Sequence, residues 1–326
     1  MGERMKRGLI ATAMAAVLLV PAGVAAQAWP SKPVRVVVSF PPGSTPDTVA
    51  RVLSSRLQDA LGQPFVVENR AGAGGNIGAD AVAKSAPDGY TLLVSTNAAV
   101  ATNKVLYDNL PYDPERDLAP VSLLATAPQA LVVIPAVPAR SFKEFLAYAR
   151  GNPGRISYGS SGSGSAAHLT MELLKADAKI FLVHIPYRGV PQVVADMLAG
   201  NVHAQFAIAP GVLPHVKAGK MHALAVTSLS RSDFMPDVPS VKELGYPQLE
   251  SLAWVGLLAP ARTPADILER LSSEARRGLA LPESRRLLTN AGFDVAASTA
   301  SEFRSWQQAE IAKWGKVIRA TGAKPD

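Results

Sequence analysis

The residues best placed to do chemistry in this 326-residue chain are hydroxyls, amides and histidines set among glycines. Ser160, Ser161, Gly162, Ser163 and Ser165 form a hydroxyl-rich turn, with His168 three residues beyond it. A second small-residue turn, Phe40 to Asp47, carries Pro42, Gly43, Ser44 and Thr45. Thr96 and Asn97 follow a third apolar run. Three chemistries use such groups. A serine nucleophile needs G-x-S-x-G on a sharp strand-to-helix turn, and Gly159-Ser160-Ser161-Gly162-Ser163 lacks the last glycine. Ser161, His168 and Asp196 remain the triad that an exported hydrolase would use. A metal needs more ligands than His168 and Glu172, which share one helix face, so no metal site is expected. The third chemistry is anion binding by neutral donors at helix starts, and two turns of this kind suit it.

The elements around those turns make the placement physical. Residues 34–38, VRVVV, read as a buried parallel strand, and the pattern turns helical after Pro41-Pro42-Gly43. Ser44 and Asp47 predict a variant capping box, with Pro46 in the first helical turn. Residues 156–159 predict a strand and residues 166–175 a helix capped by Ser165, the same strand–turn–helix repeated. Thr96 and Asn97 end the strand at 90–95, where open α/β sheets bind ligands. Gly72, Gly74 and Gly78 suggest a dinucleotide fingerprint. The spacing is one residue too long, it follows the second strand, and no carboxylate ends the next strand. Close backbone packing or a cleft lined with bare N–H groups is the expected role, and no cofactor is implied.

Between these segments, strands are predicted at 121–125 and 130–134, where the chain crosses into a second domain. Alternating strands and helices follow to residue 227. A strand at 251–258 then returns to the first domain, and three helices at 264–279, 282–290 and 301–320 end the chain. In the last, Phe303, Trp306, Ile311, Trp314 and Ile318 are expected to pack onto the first domain. The predicted fold class is α/β, with two lobes of mainly parallel sheet flanked by helices. Domain 1 takes residues 29–126 and 252–326, and domain 2 takes residues 127–251.

Composition narrows the partners. The chain has no cysteine, which excludes disulfides and thiolate chemistry. Arg4, Lys6 and Arg7 precede an apolar run and small residues, so residues 1–28 read as a signal peptide, with no cysteine to carry a lipid. Removing those three basic residues and Glu3 lowers the formal net charge from +7 to +5. That surplus is spread without basic runs, so no nucleic acid is expected. A soluble periplasmic monomer is the expectation. Donors from two facing turns, each adding roughly 1.5–3 kcal/mol to a carboxylate, would bring binding near micromolar.

The segments SFPPGSTPDTVAR (39–51), VENRAGAGGNIG (67–78), APDGYTLL (86–93), LPYDP (110–114), YGSSGSGSAAHL (158–169) and HIPYRG (184–189) carry a family likeness. With 259–263 and 308–316, they resemble the tripartite tricarboxylate transporter substrate-binding proteins, the Bug family. The resemblance implies a two-lobed periplasmic binding protein fold of type II, hinged on crossing strands. It implies a receptor that closes on a small carboxylate (a di- or tricarboxylate or an aromatic acid) and delivers it to two membrane subunits. It places ligand contacts on 40–47 and 160–168, and on Thr96, Asn97 and Tyr187. Three departures stand out: Ser44 where the family usually has glycine, Arg188 in place of lysine, and Ala207 where many members carry an aspartate. The loss of that acid implies a plain carboxylate and not an amino acid. The alternatives are the serine hydrolase above and a binder that feeds a signalling receptor.

Overall fold

The structure, a computed structural model, describes residues 29–325. The predicted signal peptide therefore lies outside the described residues. The elements in chain order are β1 (Val34–Val38), α1 (Thr45–Leu61), β2 (Phe65–Asn69), α2 (Asn76–Ala83), β3 (Thr91–Thr96), α3 (Asn103–Leu106) and β4 (Leu118–Val133). They continue with α4 (Phe142–Gly151), β5 (Ser157–Ser160), α5 (Ala166–Ala178), β6 (Val183–Pro186), α6 (Val190–Leu198), β7 (Ala204–Ile208), α7 (Ala209–Lys217) and β8 (His222–Val226). The chain ends with β9 (Leu252–Pro260), α8 (Ala265–Ala280), α9 (Pro282–Asn290), β10 (Asp294–Val295) and α10 (Ala300–Thr321).

The strand order is β2-β1-β3-β9-β4-β7-β5-β6, with β8 and β10 also pairing with β4. The β1–β2 and β1–β3 pairs are parallel, as are β5–β6 and β5–β7. The crossing strands β4 and β9 run antiparallel to their neighbours. Two apolar cores lie on either side of this crossing. One gathers Val36, Leu53, Leu92 and Val255, and the other gathers Phe145, Tyr158, Met171 and Phe206.

One expectation is corrected here and one extended. The strands predicted at 121–125 and 130–134 are one 16-residue strand, β4. Pro128 suggests a break, but it falls where β4 changes partner: Pro128 is the last residue opposite β9, and Gln129 the first opposite β7. A missing N–H costs little at a point where the ladder is handed over. The second concerns the reach of α10, which packs on the first lobe as expected but also extends beyond it. Phe303 does pack beside Trp254 and Leu258 in the first lobe. Trp314 and Ile318 also pack on the first lobe, at Leu106, and in addition reach Leu169 of α5 in the second. The helix has 22 residues, about 33 Å at 1.5 Å per residue, and its C-terminal half touches both lobes.

Candidate functional site

The first wall is the turn between β1 and α1. Gly43 takes a positive φ of 74°, a conformation favoured by glycine. The predicted capping box does not form. Ser44 makes no side-chain cap bond, and Asp47 instead accepts from the Gly43 N–H at 2.9 Å. Asp47 also accepts from Arg51 Nε at 3.0 Å and Asn69 Nδ2 at 2.9 Å. Asn69 Nδ2 reaches the Phe40 carbonyl as well, at 2.9 Å. Burial pushes the Asp47 carboxyl up, but the bonds from Arg51, Asn69 and Gly43 outweigh it and hold the group below its ordinary value. Asp47 is thus a clamp on the loop, with its charge matched by Arg51. Ser44 is buried, and its hydroxyl has no hydrogen-bond partner among the described residues.

The second wall is the turn between β5 and α5. Ser165 caps α5 as predicted, its hydroxyl accepting the His168 N–H at 3.3 Å. The Leu169 N–H goes to the Ser165 carbonyl, which leaves the first amides of α5, at Ala166 and Ala167, without intrahelical acceptors. Ser160 Oγ accepts the Gly162 N–H and bonds His184 Nε2 at 2.7 Å. His168 Nδ1 accepts the Gly164 N–H at 3.1 Å. The His168 ring stacks on His184 at 4.2 Å, and His184 stacks on Tyr158 at 4.8 Å. Burial, then His184 and Lys175, push the His168 pKa well below its ordinary value, so the ring stays neutral. Asp196 is engaged by Tyr187 Oη at 2.6 Å and by Asn201. Ser161, His168 and Asp196 therefore do not form a relay. Glu172 is bound to Lys175 and Tyr158, away from any metal arrangement with His168.

The two walls meet. Thr102 Oγ1 donates to the Gly164 carbonyl at 2.6 Å, and Asn97 Nδ2 donates to the same oxygen at 3.3 Å. A Cβ on Gly74 would lie 2.9 Å from the Ser163 carbonyl oxygen, and one on Gly162 would lie 3.3 Å from Gly74 Cα. Gly78 packs as tightly against Ser39. Close backbone approach is therefore what this glycine run provides.

Between the walls lies a cavity of about 60 Å³. Of the residues predicted for the site, Phe40, Ser44, Thr45, Thr96, Asn97, Ser161, Ser165 and Ala207 line it. Gly43 faces an adjoining chamber. Gly162, Ser163 and Tyr187 face another, which shares Phe40 and Ser161 with the cavity. Asp47, Ser160 and His168 act from behind the walls, and Pro42 is exposed on the loop. The wall also contains Gln129, the Gly189–Val190 start of α6, Phe206 and Trp254, which sequence reasoning missed. Gln129 had a signal: it is the one polar side chain in the apolar run from Ala127 to Val133. Its N–H is taken by Thr227 Oγ1 at 2.8 Å, and its Nε2 donates to Ser251 at 3.3 Å.

The cavity therefore receives three helix starts, those of α1, α5 and α6, together with hydroxyls and amides. Its wall contains no acidic or basic side chain. Positive helix ends and neutral donors in a partly apolar enclosure favour an anion with an apolar body.

Comparison with known proteins gives a consistent result. A family model described as the tripartite tricarboxylate transporter family receptor matches residues 49–323. Protein BugT of Bordetella pertussis is 39% identical over 306 residues, covering 94% of each chain. Among solved structures, R. palustris Rpa4515 with adipate superposes with a TM-score of 0.86 at 34% identity, covering 91% of this chain and all of that one. MatC from Rhodopseudomonas palustris with bound malate gives a TM-score of 0.83 at 31% identity, covering 89% of this chain and 99% of the other.

Proposed function

The chain belongs to the tripartite tricarboxylate transporter family of receptors, and from that premise we propose that the interlobe cavity is its carboxylate site. The protein is a solute-binding protein of the two-lobed type II fold and not an enzyme. In the proposed reading, the lobes close on a small carboxylate and the loaded protein delivers it to the transporter's membrane subunits. The relatives solved with adipate and with malate support the ligand class. The observation that carries the assignment to this cavity is Ser44. A buried hydroxyl without a partner costs roughly 1–3 kcal/mol, and it sits at a helix start on a wall free of acidic side chains.

The domains of the proposal are residues 29–126 with 252–326, and residues 127–251. The contacts are Phe40, Ser44, Thr45, Thr96, Asn97, Ser161 and Ser165, with Gln129 added. Ala207 leaves the wall without an acid, so an ammonium group finds no partner there. Residues 1–28 act as an export signal that delivers a monomer to the periplasm. No helix among the described residues is long and apolar enough to cross a membrane.

A thermal-shift screen with a panel of carboxylates, their amides and the matching amino acids tests this reading. A cognate acid at about a hundred times Kd should stabilise the protein by ~2.7 kcal/mol. Amides and amino acids should do much less. If no acid moves the melting temperature, the reading fails.

A further inference from the structure

Two amide side chains stand in the wall of the inner cavity: Asn97, directly after β3, and Gln129, where β4 passes from β9 to β7. Both are almost fully buried, at 2% and 3% exposure. In each, the nitrogen is engaged by the protein. Asn97 Nδ2 donates to the Gly164 carbonyl at 3.3 Å, an oxygen that Thr102 Oγ1 also reaches at 2.6 Å. A carbonyl only accepts, so turning the Asn97 amide over would set oxygen against oxygen. Gln129 Nε2 donates to Ser251 Oγ at 3.3 Å, and Thr170 Oγ1 donates to the same hydroxyl at 2.7 Å. The Gln129 backbone is held as well, since Thr227 Oγ1 takes its N–H at 2.8 Å and donates to the Ser251 carbonyl at 2.6 Å. The two amide oxygens are left over. Asn97 makes no side-chain bond to the helical turn that follows it, and neither Asn97 Oδ1 nor Gln129 Oε1 accepts a hydrogen bond among the described residues. Neither oxygen is enclosed by protein, which leaves both open at the cavity wall.

We propose that this pair of fixed acceptors reads a hydroxyl on the carbon next to the ligand's carboxylate, so that the site selects 2-hydroxy acids over their parent acids. The inference rests on the carboxylate reading above and narrows it. The helix starts and the Ser44 hydroxyl supply donors to the carboxylate. Carboxylate oxygens are themselves acceptors and have no use for an amide carbonyl. An acid that brings no donor leaves Asn97 Oδ1 and Gln129 Oε1 desolvated and unpaired, which weakens its binding. A hydroxyl supplies the missing donor and carries no charge. An ammonium group would also bring donors, but its charge would enter a wall with no acidic side chain to balance it. The size of the cavity fixes the position of the hydroxyl. Its volume of about 60 Å³ holds roughly four to six water-sized groups at about 10–15 Å³ each. A carboxylate fills three of them, so the adjacent carbon and its hydroxyl are what fits beside it.

The test is calorimetry on the full mature protein with matched pairs of acids: lactate and propionate, malate and succinate, mandelate and phenylacetate, each hydroxy acid as both enantiomers. In every pair that binds, the better enantiomer should bind about 2- to 12-fold more tightly than its parent, the range for one neutral hydrogen bond. The ratio within a pair is the readout, because a loss of stability or of lobe closure weakens both acids alike. That ratio should shrink in Asn97→Ala and in Gln129→Met, and reach one when both residues are changed. Equal binding of the two acids in the native protein, or tighter binding of the parent, overturns the proposal without any variant. So does a hydroxyl advantage that survives in the double variant, which would place its acceptor elsewhere. If no acid of any pair binds, the carboxylate reading itself has failed, a result distinct from both of these.

Discussion

Replacing Ser44 by alanine should separate stability from affinity, with opposite signs. An N-cap serine changed to alanine normally costs about 0.5–2 kcal/mol, because its hydroxyl satisfies a helix amide. Here that cost does not apply, since the Ser44 side chain makes no cap bond and the helix start is held by Asp47 on the Gly43 N–H. Alanine instead removes a buried hydroxyl that has no partner among the described residues. Leaving such a group unsatisfied costs roughly 1–3 kcal/mol. The unliganded variant should therefore be as stable as the native protein or up to about 1 kcal/mol more stable, which raises the melting temperature by ~2–4 °C in a chain of this class. Binding moves the other way. A hydrogen bond to a charged acceptor is worth ~1.5–3 kcal/mol, so the affinity for a cognate carboxylate should fall about 10- to 150-fold. Thermal melts without ligand and calorimetry with it give the two numbers independently. A variant that melts several degrees lower yet binds with native affinity would refute the reasoning, because Ser44 would then support the loop and not the ligand.

Two further outcomes follow from the same geometry. Gly74→Ala forces a Cβ to 2.9 Å from the Ser163 carbonyl at a backbone φ of +61°, so the lobes cannot approach as closely. We expect at least a tenfold loss of affinity, with a larger scattering radius for the variant at saturating ligand, and a native affinity would show that the glycine contact does not govern closure. The second outcome concerns acid stability. His168 is held neutral when folded but takes up a proton near pH 6.5 when unfolded, so below that pH the unfolded chain binds the extra proton. Stability from this group is complete above about pH 6.5 and is lost as pH falls towards the lower folded pKa. Melts from pH 7.5 to 5 should show that decline, and His168→Gln should flatten it. An equal decline in the variant would remove His168 as its source.

Much of the site was legible because its determinants are local. Gly43, Pro46 and the β-branched run before them specify strand, turn and helix within eighteen residues. Ser165 caps α5 through a bond to a residue three positions away. The failures come from partners distant in sequence. Ser44 and Asp47 have capping-box spacing, but Asn69, 22 residues from Asp47, engages that carboxylate and the loop closes differently. Pro128 has the sequence look of a strand breaker, and only the change of partner from β9 to β7 makes it tolerable. Gln129, next to it, reaches the cavity for the same reason. Trp314 has the spacing of a first-lobe core residue, yet its packing on Leu169 depends on how the lobes meet, which no local pattern encodes.

The lack of charge in the cavity wall bears on how such a receptor works. A buried arginine facing the carboxylate would add attraction, but without ligand it would be a buried, unpaired cation, and removing its partner typically costs about 3–5 kcal/mol. That cost would oppose both closure without ligand and release to a transporter. Three helix starts and a set of hydroxyls avoid it. Their dipoles are fixed by the backbone and each contributes about 0.3–1 kcal/mol, up to ~2 when partly buried. The charged groups that do shape this site are already paired behind the wall: Asp47 with Arg51, and Glu172 with Lys175. They hold the two turns rigid without facing the ligand. The wall therefore offers an anion enough to close on, while the neutral lobes can part again when the acid leaves.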